Sequence, residues 1–159
     1  MAKDKDKTNV MRVLDSKKIA YSSYSYTPDS SLTGEEIAKL LNEDVERVFK
    51  TLVTQAKSGS YYVFVVPVCK ELDLKKAAAA VKEKAVSMIK QKELLPLTGY
   101  VHGGCSPVGM KKQFKTVIHE TAQDFEKIFV SAGRVGNQVE LSPADLSGLV
   151  SAEYADVVE

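Results

Sequence analysis

The sequence predicts a single domain of mixed α+β class, on the strength of two features. Segments suited to β-strands occur in groups, and helical patterns do not alternate regularly with them, which argues against a doubly wound α/β sheet. The chain has 159 residues without an internal repeat or a linker, enough for one domain with a buried core. We therefore expect one domain over residues 1–159, with the charged residues 1–8 mobile.

Two helices and a strand are predicted for the first quarter of the chain. Residues 9–18 place apolar side chains at helical spacing, and the tyrosine-rich residues 19–26 favour a strand. Thr33 and Glu36 form a capping-box pattern, which predicts a helix from there to about residue 41.

A further short helix is predicted to start at residues 42–44. Its apolar residues recur at three- and four-residue steps: Val45, Val48, Phe49 and Leu52. This spacing puts Lys50 and Thr51 at the end of the helix or just beyond it. Residues 51–56 and 60–68 then favour two strands joined by a hairpin turn, and the second is so apolar that it should be buried on both faces.

The remaining elements are shorter and are separated by glycine and proline. Asp73 is suited to capping a helix that contains four consecutive alanines. A turn or short helix is expected before Pro96, a glycine-rich loop follows, and Ser142 opens a C-terminal helix. Short strands are predicted at residues 86–89, 116–119, 128–131 and 138–141, with a helical turn at 122–127.

Composition excludes several classes of protein. A net charge of +1 does not suggest binding to nucleic acid by bulk charge. Cys69 and Cys105 form no CxxC and only two histidines are present, so we expect neither a metal site nor a cofactor. No apolar run is long enough to span a bilayer and the start does not resemble a secretory signal, so we expect no membrane association and a cytoplasmic location.

Two features could carry chemistry, although each has a simpler explanation. Lys50 lies among apolar residues, where a lysine is most often a solvated edge position. Gly103 and Gly104 can bring backbone N–H groups close to a ligand, but an isolated Gly-Gly is usually only a tight turn.

Several segments, taken in order, resemble the YbaK/EbsC family of aminoacyl-tRNA editing domains. They are VFKTLV at 48–53, LDLKK at 72–76, TGYVHGGCSPVGMKK at 98–112, VSAGR at 130–134 and Glu140-Leu141. The resemblance implies an α+β fold with a curved or barrel-like sheet flanked by helices. It also implies hydrolysis of the ester between an amino acid and the 3′ end of a tRNA.

The resemblance assigns roles to individual residues. It places the family's essential lysine at Lys50 and makes Gly103 and Gly104 a wall and donor set around the ester, with Ser106 fixing the loop that follows. The other residues that it suggests for substrate binding are Tyr26, Thr51, Ser131, Gly133 and Gln138. No nucleophile–base pair is evident. Cys105 is expected to serve packing, and the family does not require a histidine at His102.

The stand-alone branch that this chain most resembles deacylates cysteinyl-tRNA(Pro), and for that substrate the resemblance implies attack by the substrate's own thiol on its ester. Gln138 departs from an aspartate that is common in this branch, which puts the cysteinyl specificity in doubt. An alanyl-tRNA(Pro) deacylase and a non-catalytic tRNA- or nucleotide-binding module on the same fold are the alternatives.

Expected partners follow from the same resemblance. They are aminoacyl-tRNA and prolyl-tRNA synthetase, while the oligomeric state is left open. Two small basic clusters could contact tRNA phosphates, or could equally be solvated faces: Lys111, Lys112 and Lys115, and Lys70, Lys75 and Lys76.

Overall fold

A computed structural model describes residues 7–29 and 31–159. Its α-helices are α1 Asn9–Ser16, α2 Gly34–Leu40, α3 Leu74–Ala80, α4 Gln91–Thr98 and α5 Pro143–Val150. Its strands are β1 Tyr21–Ser25, β2 Phe49–Ala56, β3 Tyr61–Pro67, β4 Val86–Met88, β5 Lys115–His119, β6 Ile128–Ser131, β7 Asn137–Leu141 and β8 Glu153–Ala155. Short 3-10 helices cover Val45–Arg47 and Glu120–Asp124.

The strands form two sheets. The smaller has the order β1-β7-β6 and is antiparallel throughout. The larger has the order β4-β2-β3-β5-β8, with β2 antiparallel to β3 and β4, and with β3, β5 and β8 parallel. A single parallel bridge between Val48 and Phe129 joins the sheets. The predicted α+β class is confirmed, with the expected curved sheet realised as two sheets and not as a closed barrel.

The main apolar core lies between the sheets and is covered by α1 and α5. A second cluster fills the space between the larger sheet and α3. β3 separates these two clusters, and its central residues Val63, Phe64, Val65 and Val66 are completely buried. The prediction of a strand buried on both faces is therefore confirmed.

The prediction of a helix that starts at residues 42–44 and continues to about residue 52 is wrong after its first turn. One 3-10 turn ends at Arg47, and Lys50 and Thr51 lie inside β2, paired with Val66 and Val65. The spacing of the apolar residues wrongly indicated a helix because β2 is covered on both faces for part of its length. Such a strand lacks the alternation of apolar and polar residues that identifies a strand in a sequence. Pairing with β3, a property of the tertiary structure, decides the conformation.

Other differences are smaller. Strand β8 was not expected, because three residues with one charge carry little pattern, and α4 continues through Pro96 to Thr98. The segment expected to be mobile lies largely outside the described residues. Of its last two residues, Thr8 caps α1 and Lys7 pairs with Asp15 at 2.6 Å. No helix of the described chain has the length and apolar character needed to cross a membrane.

Four helices end in the same motif. After each, one residue adopts a positive φ: Lys18 (59°), Asn42 (54°), Lys82 (59°) and Ser151 (54°). The next N–H then donates to the carbonyl five residues earlier, as in a Schellman motif: Ile19 to Leu14, Glu43 to Ala38, Glu83 to Ala78 and Ala152 to Ser147. A hydrophobic side chain, such as that of Ile19, normally follows this turn and packs against the helix. A glutamate at the same position is therefore placed next to apolar surroundings.

Candidate active site

The side chain of Lys50 points away from the main core. Its neighbours Phe49 and Val53 belong to that core, and alternation along β2 turns Lys50 to the opposite face. The side chain is 29% exposed, and its ammonium lies 4.0 Å from the carboxylate of the exposed Glu71, too long for a hydrogen bond. Among the described residues, the Lys50 ammonium therefore has only this distant ionic partner.

Lys50 stands at one end of a row of polar residues that crosses four strands. Val48 bridges Phe129 in parallel, and continuing this register by two residues aligns Lys50 with Ser131. Ser131 pairs with Gln138 on β7, and Gln138 pairs with Tyr24 on β1. At about 5 Å between neighbouring strands, the row from Lys50 to Tyr24 is about 15 Å long.

Ser131 and Gln138 differ in how well their polar atoms are satisfied. The Ser131 hydroxyl accepts a hydrogen bond from the N–H of Gly133 at 3.1 Å, so it caps its own turn. Gln138 is only 5% exposed, and its buried Oε1 has no hydrogen-bond partner in the described part of the chain.

The structure places Tyr26 just beyond the end of β1, where its N–H donates to Gly136 at 2.9 Å. Tyr24 is the tyrosine directly opposite Gln138, and it is 38% exposed. Alternation within IAYSSYSY does not separate the two, since both are even-numbered residues of one strand pattern.

Thr51 faces the opposite side of β2 from Lys50, because side chains alternate along the strand. Its Oγ1 is buried and has no hydrogen-bond partner among the described residues. The structure therefore does not bring Thr51 into the row, although the unpaired hydroxyl leaves it able to bind a water molecule or a ligand group.

The glycine-rich loop, residues 99–114, packs on the turn that follows Ser131. Gly104 donates to the carbonyl of Val101 at 2.9 Å, which closes a tight turn with Gly103 at φ 86°. A Cβ on Gly104 would lie 3.0 Å from the backbone nitrogen of Val135. Gly103 thus provides the turn geometry, and Gly104 allows the loop to pack on the turn after β6.

The N–H of Gly104 is used within this turn, so it is not a free donor in this structure. The next two residues, Cys105 and Ser106, are buried, and their backbone N–H groups donate to no acceptor among the described hydrogen bonds. Buried N–H groups are rarely left unpaired, so these two are the better candidates for binding an oxyanion. The Ser106 hydroxyl is turned inward and accepts from Val108 at 3.3 Å.

Gly133 is fixed by packing. At φ 91° it has a backbone conformation suited to glycine, and a Cβ there would lie 2.9 Å from both Tyr100 and Val10. The hydroxyl of Tyr100 donates to the carbonyl of Val108. Tyr100 therefore packs the glycine-rich loop against the β6–β7 turn.

Neither cysteine nor histidine chemistry is supported by the surroundings. Burial raises the pKa of the Cys105 thiol to about 12, so a thiolate nucleophile is not available there. His102 is exposed in the turn. His119 is buried, which lowers its pKa, and its Nδ1 accepts from the N–H of Val157 at 3.3 Å.

A group of charged residues beside the row was missed from the sequence. Arg47 pairs with Glu140 at 2.6 Å and lies over the ring of Phe129, 4.8 Å from its centre. The Tyr24 hydroxyl donates to the other oxygen of Glu140 at 2.8 Å. Glu43 completes the group. The sequence signal for Glu43 was its position after the Asn42 turn, where a hydrophobic residue is usual.

The basic clusters are used differently. The ammonium of Lys76 is bound to Asp156 at 2.9 Å and to the carbonyl of Val158 at 2.8 Å, which makes it structural. Lys70 and Lys75 are exposed. The second cluster is also exposed: Lys111 and Lys112 lie in the glycine-rich loop, and Lys115 begins the strand that follows it.

The sequence profile of the aminoacyl-tRNA editing domain matches residues 28–149. The chain is 43% identical to the proposed Cys-tRNA(Pro)/Cys-tRNA(Cys) deacylase EbsC of Enterococcus faecalis, over 99% of this chain and 98% of that protein. It is 29% identical to the proline–tRNA ligase of Thermosipho africanus, over 68% of this chain and 18% of the ligase.

A solved structure described as a proposed trans-editing enzyme for prolyl tRNA synthetase superposes with a TM-score of 0.80. It is 24% identical in sequence, with 96% of this chain and 98% of that chain covered. At this identity the likeness establishes the fold. Together with the profile match and the full-length relative, the ordered motifs show that this chain belongs to the family of aminoacyl-tRNA editing domains.

Proposed function

We propose that this protein is a trans-editing aminoacyl-tRNA deacylase that removes cysteine from tRNA(Pro). The observation that carries the proposal is the row Lys50–Ser131–Gln138 beside a glycine-rich loop in an aminoacyl-tRNA editing domain. Cysteine and tRNA(Pro) are suggested by the name of the full-length relative EbsC. The proposal places the protein in the cytoplasm, where aminoacyl-tRNAs are found.

Lys50 and the loop amides divide the task of binding the ester end of the tRNA. Lys50 supplies a cation for the negatively charged 3′-terminal nucleotide. The N–H groups of Cys105 and Ser106 are suited to the oxygen that becomes negative when the ester carbonyl is attacked. Both act by position and charge, so neither has to be a nucleophile or a base.

The absence of a nucleophile–base pair among these residues fits chemistry by the substrate itself. The thiol sulfur of the esterified cysteine attacks its own carbonyl carbon, a C–S bond forms, and the C–O bond to the ribose breaks. The proton from the thiol passes to the departing ribose oxygen, which leaves a cyclic thiolactone and free tRNA. The protein accelerates this step by holding the ester in a reactive conformation.

The experiment is deacylation of tRNA(Pro) charged with cysteine or with alanine. We expect cysteine to be released, and Lys50→Ala to slow the release by about 100-fold or more, the range typical for loss of one electrostatic contact at a transition state. Lys57→Ala, in the exposed β2–β3 turn, is the matched control and should not change the rate.

Other results would redirect the proposal. Release of alanine alone would make the protein an alanyl-tRNA(Pro) deacylase, for which a water molecule must attack. Binding of tRNA without release of either amino acid would favour a non-catalytic module, a reading that the departure at Gln138 supports. Unchanged rates for Lys50→Ala would remove Lys50 from the mechanism.

Prolyl-tRNA synthetase is the proposed partner, supported by the similarity to a proline–tRNA ligase. A net charge of +1 predicts weak binding of free tRNA by this chain alone. Adding the synthetase should therefore increase the deacylation rate at low enzyme concentration. Tight binding of free tRNA that does not weaken with salt would argue against the need for a partner.

A further inference from the structure

Glu43 and Gln138 present three buried oxygen atoms that accept no hydrogen bond. They are both carboxylate oxygens of Glu43 and the Oε1 of Gln138. Each has almost no exposed surface and no partner among the described residues. A buried acceptor without a donor costs about 1–3 kcal/mol, and a charged one costs more, so a group of three calls for an occupant that donates hydrogen bonds.

The two side chains are neighbours. The amide of Gln138 lies close enough to lower the pKa of the Glu43 carboxyl, although no hydrogen bond of normal geometry forms between them. Burial acts more strongly in the other direction and raises that pKa to about 7. The carboxylate is thus poorly stabilised by the protein alone.

The charge of Arg47 lowers the pKa of the Glu43 carboxyl, but Arg47 forms its ion pair with another carboxylate. Arg47 directs its guanidinium to Glu140 at 2.6 Å and to the carbonyl of Lys127 at 3.0 Å. Lys50 lies two strand spacings from Gln138, about 10 Å across the row, and its ammonium is turned towards Glu71. Among the described residues no cation pairs with these acceptors, so a donor from outside the chain is needed to satisfy them.

The backbone explains why the group is built this way. Glu43 occupies the position after the α2 turn that usually carries a hydrophobic side chain, and its own N–H is fixed to Ala38 at 2.8 Å. Gln138 is held on both sides by β1 and β6. Two rigid elements therefore hold the acceptors in place before any ligand arrives, which reduces the cost of binding.

We propose that Glu43 and Gln138 together form the binding site for a primary ammonium group, the α-ammonium of the aminoacyl ester. An ammonium has three N–H donors and a positive charge, which matches three acceptors and one negative charge. This inference rests on the proposed function, because it assigns the end of the row away from Lys50 to the amino acid.

The site then binds the two ends of the substrate with opposite charges. Lys50 meets the anionic nucleotide, and Glu43 with Gln138 meets the cationic amino acid. An amino acid whose amine is blocked or missing would leave the three acceptors unpaired, so the site distinguishes a free aminoacyl ester from a peptidyl or deaminated one.

The test uses binding, so that it is independent of catalysis. The probes are 3′-amino-3′-deoxyadenosine carrying cysteine in a stable amide, and its deamino counterpart with hydrogen in place of the ammonium. Dissociation constants are measured by calorimetry or NMR titration for the wild type, Glu43→Gln and Glu83→Gln. Glu83 ends α3 in the same motif and serves as the matched control.

We expect the wild type to bind the amine-bearing probe at least about 10-fold more tightly, the effect of a charge-assisted hydrogen bond. Glu43→Gln should reduce this ratio to near one, and Glu83→Gln should keep it. Equal binding of the two probes by the wild type, no binding of either, or an unchanged ratio in Glu43→Gln would overturn the proposal.

The outcomes also separate this inference from the proposed function. If the ratio depends on Glu43 but charged tRNA is not hydrolysed, the ammonium site stands and the deacylase proposal fails. If cysteinyl-tRNA(Pro) is hydrolysed but Glu43→Gln does not change the ratio of the two dissociation constants, the deacylase proposal holds and the proposed ammonium site is wrong. Circular dichroism of Glu43→Gln checks that the fold is kept.

Discussion

Helices α2 and α3 end in the same backbone motif with a glutamate at the same position, yet the two carboxylates have opposite surroundings. Glu83 accepts hydrogen bonds from the hydroxyls of Tyr62 and Ser58. Glu43 accepts none, although both of its oxygens are buried. The same local sequence signal thus produces a satisfied structural carboxylate beside the larger sheet and an unsatisfied one beside the smaller sheet.

The difference separates the parts of the fold that are optimised for stability from the part that is kept for a ligand. Near Glu83, strand β3 supplies a tyrosine in the right place. Near Glu43, the side chains of Arg47 and Tyr24 both bind Glu140, and neither donates a hydrogen bond to Glu43. Unsatisfied groups of this kind persist where function requires them, and their cost is offset elsewhere in the fold.

Within this comparison of the two glutamates, the largest expected effect is on activity. Glu43→Gln should lower kcat/KM for cysteinyl-tRNA(Pro) by about 10-fold or more, because the ammonium loses a charged acceptor, while Glu83→Gln should leave it unchanged. Steady-state deacylation of both variants checks this. A loss of equal size in both variants would mean that the two carboxylates do not differ in role.

The next effect is a gain of stability. Glu43→Leu removes a buried, unpaired carboxylate and places a hydrophobic side chain where the helix-ending motif favours one, so the free energy of unfolding should increase by about 1 kcal/mol. Urea unfolding of the variant measures the change. A destabilised Glu43→Leu protein would show that the carboxylate is satisfied in solution, for example by water.

A loss of stability is expected for the same substitution at Glu83. Glu83→Leu leaves the hydroxyls of Tyr62 and Ser58 without their acceptor, so the free energy of unfolding should decrease by about 1 kcal/mol. Ser58 is exposed and water replaces part of the loss, which keeps the effect small. The same urea experiment gives the value, and a change of the same sign as for Glu43→Leu would contradict the comparison.

The smallest effect is a pH dependence of stability. The pKa of Glu43 is about 7 in the folded chain against 4.5 in the unfolded one, so the folded state binds more protons between these values. The contribution of Glu43 to stability therefore falls as pH rises from about 4.5 to 7. The difference in Tm between Glu43→Gln and the wild type should grow from pH 5 to pH 8. A constant difference would refute the raised pKa.

The sequence predicted most of the elements, because their signals are local. The Thr33–Glu36 capping box, the Asp73 cap, and the apolar run that became β3 all act within a few residues, and the structure contains each. It failed at Lys50, where a helix was expected, because a strand covered on both faces loses its alternation.

Site residues were predicted only where a family motif marked them. The sequence offered Lys50, Ser131 and Gln138 as separate positions, and the bridge of Val48 to Phe129 is what puts them in one row. It offered no reason to choose Tyr24 over Tyr26, or to select Glu43 at all, since those choices depend on which strand lies opposite.

By itself, then, the sequence determined the class of the fold, the starts of most helices and the family, because caps, periodicity and ordered motifs are properties of neighbouring residues. Only the tertiary structure decided that two glutamates in equivalent motifs differ. Whether a buried carboxylate finds a donor depends on residues such as Tyr62 and Ser58, or Arg47 and Glu140, which long-range strand pairing brings to it or keeps from it.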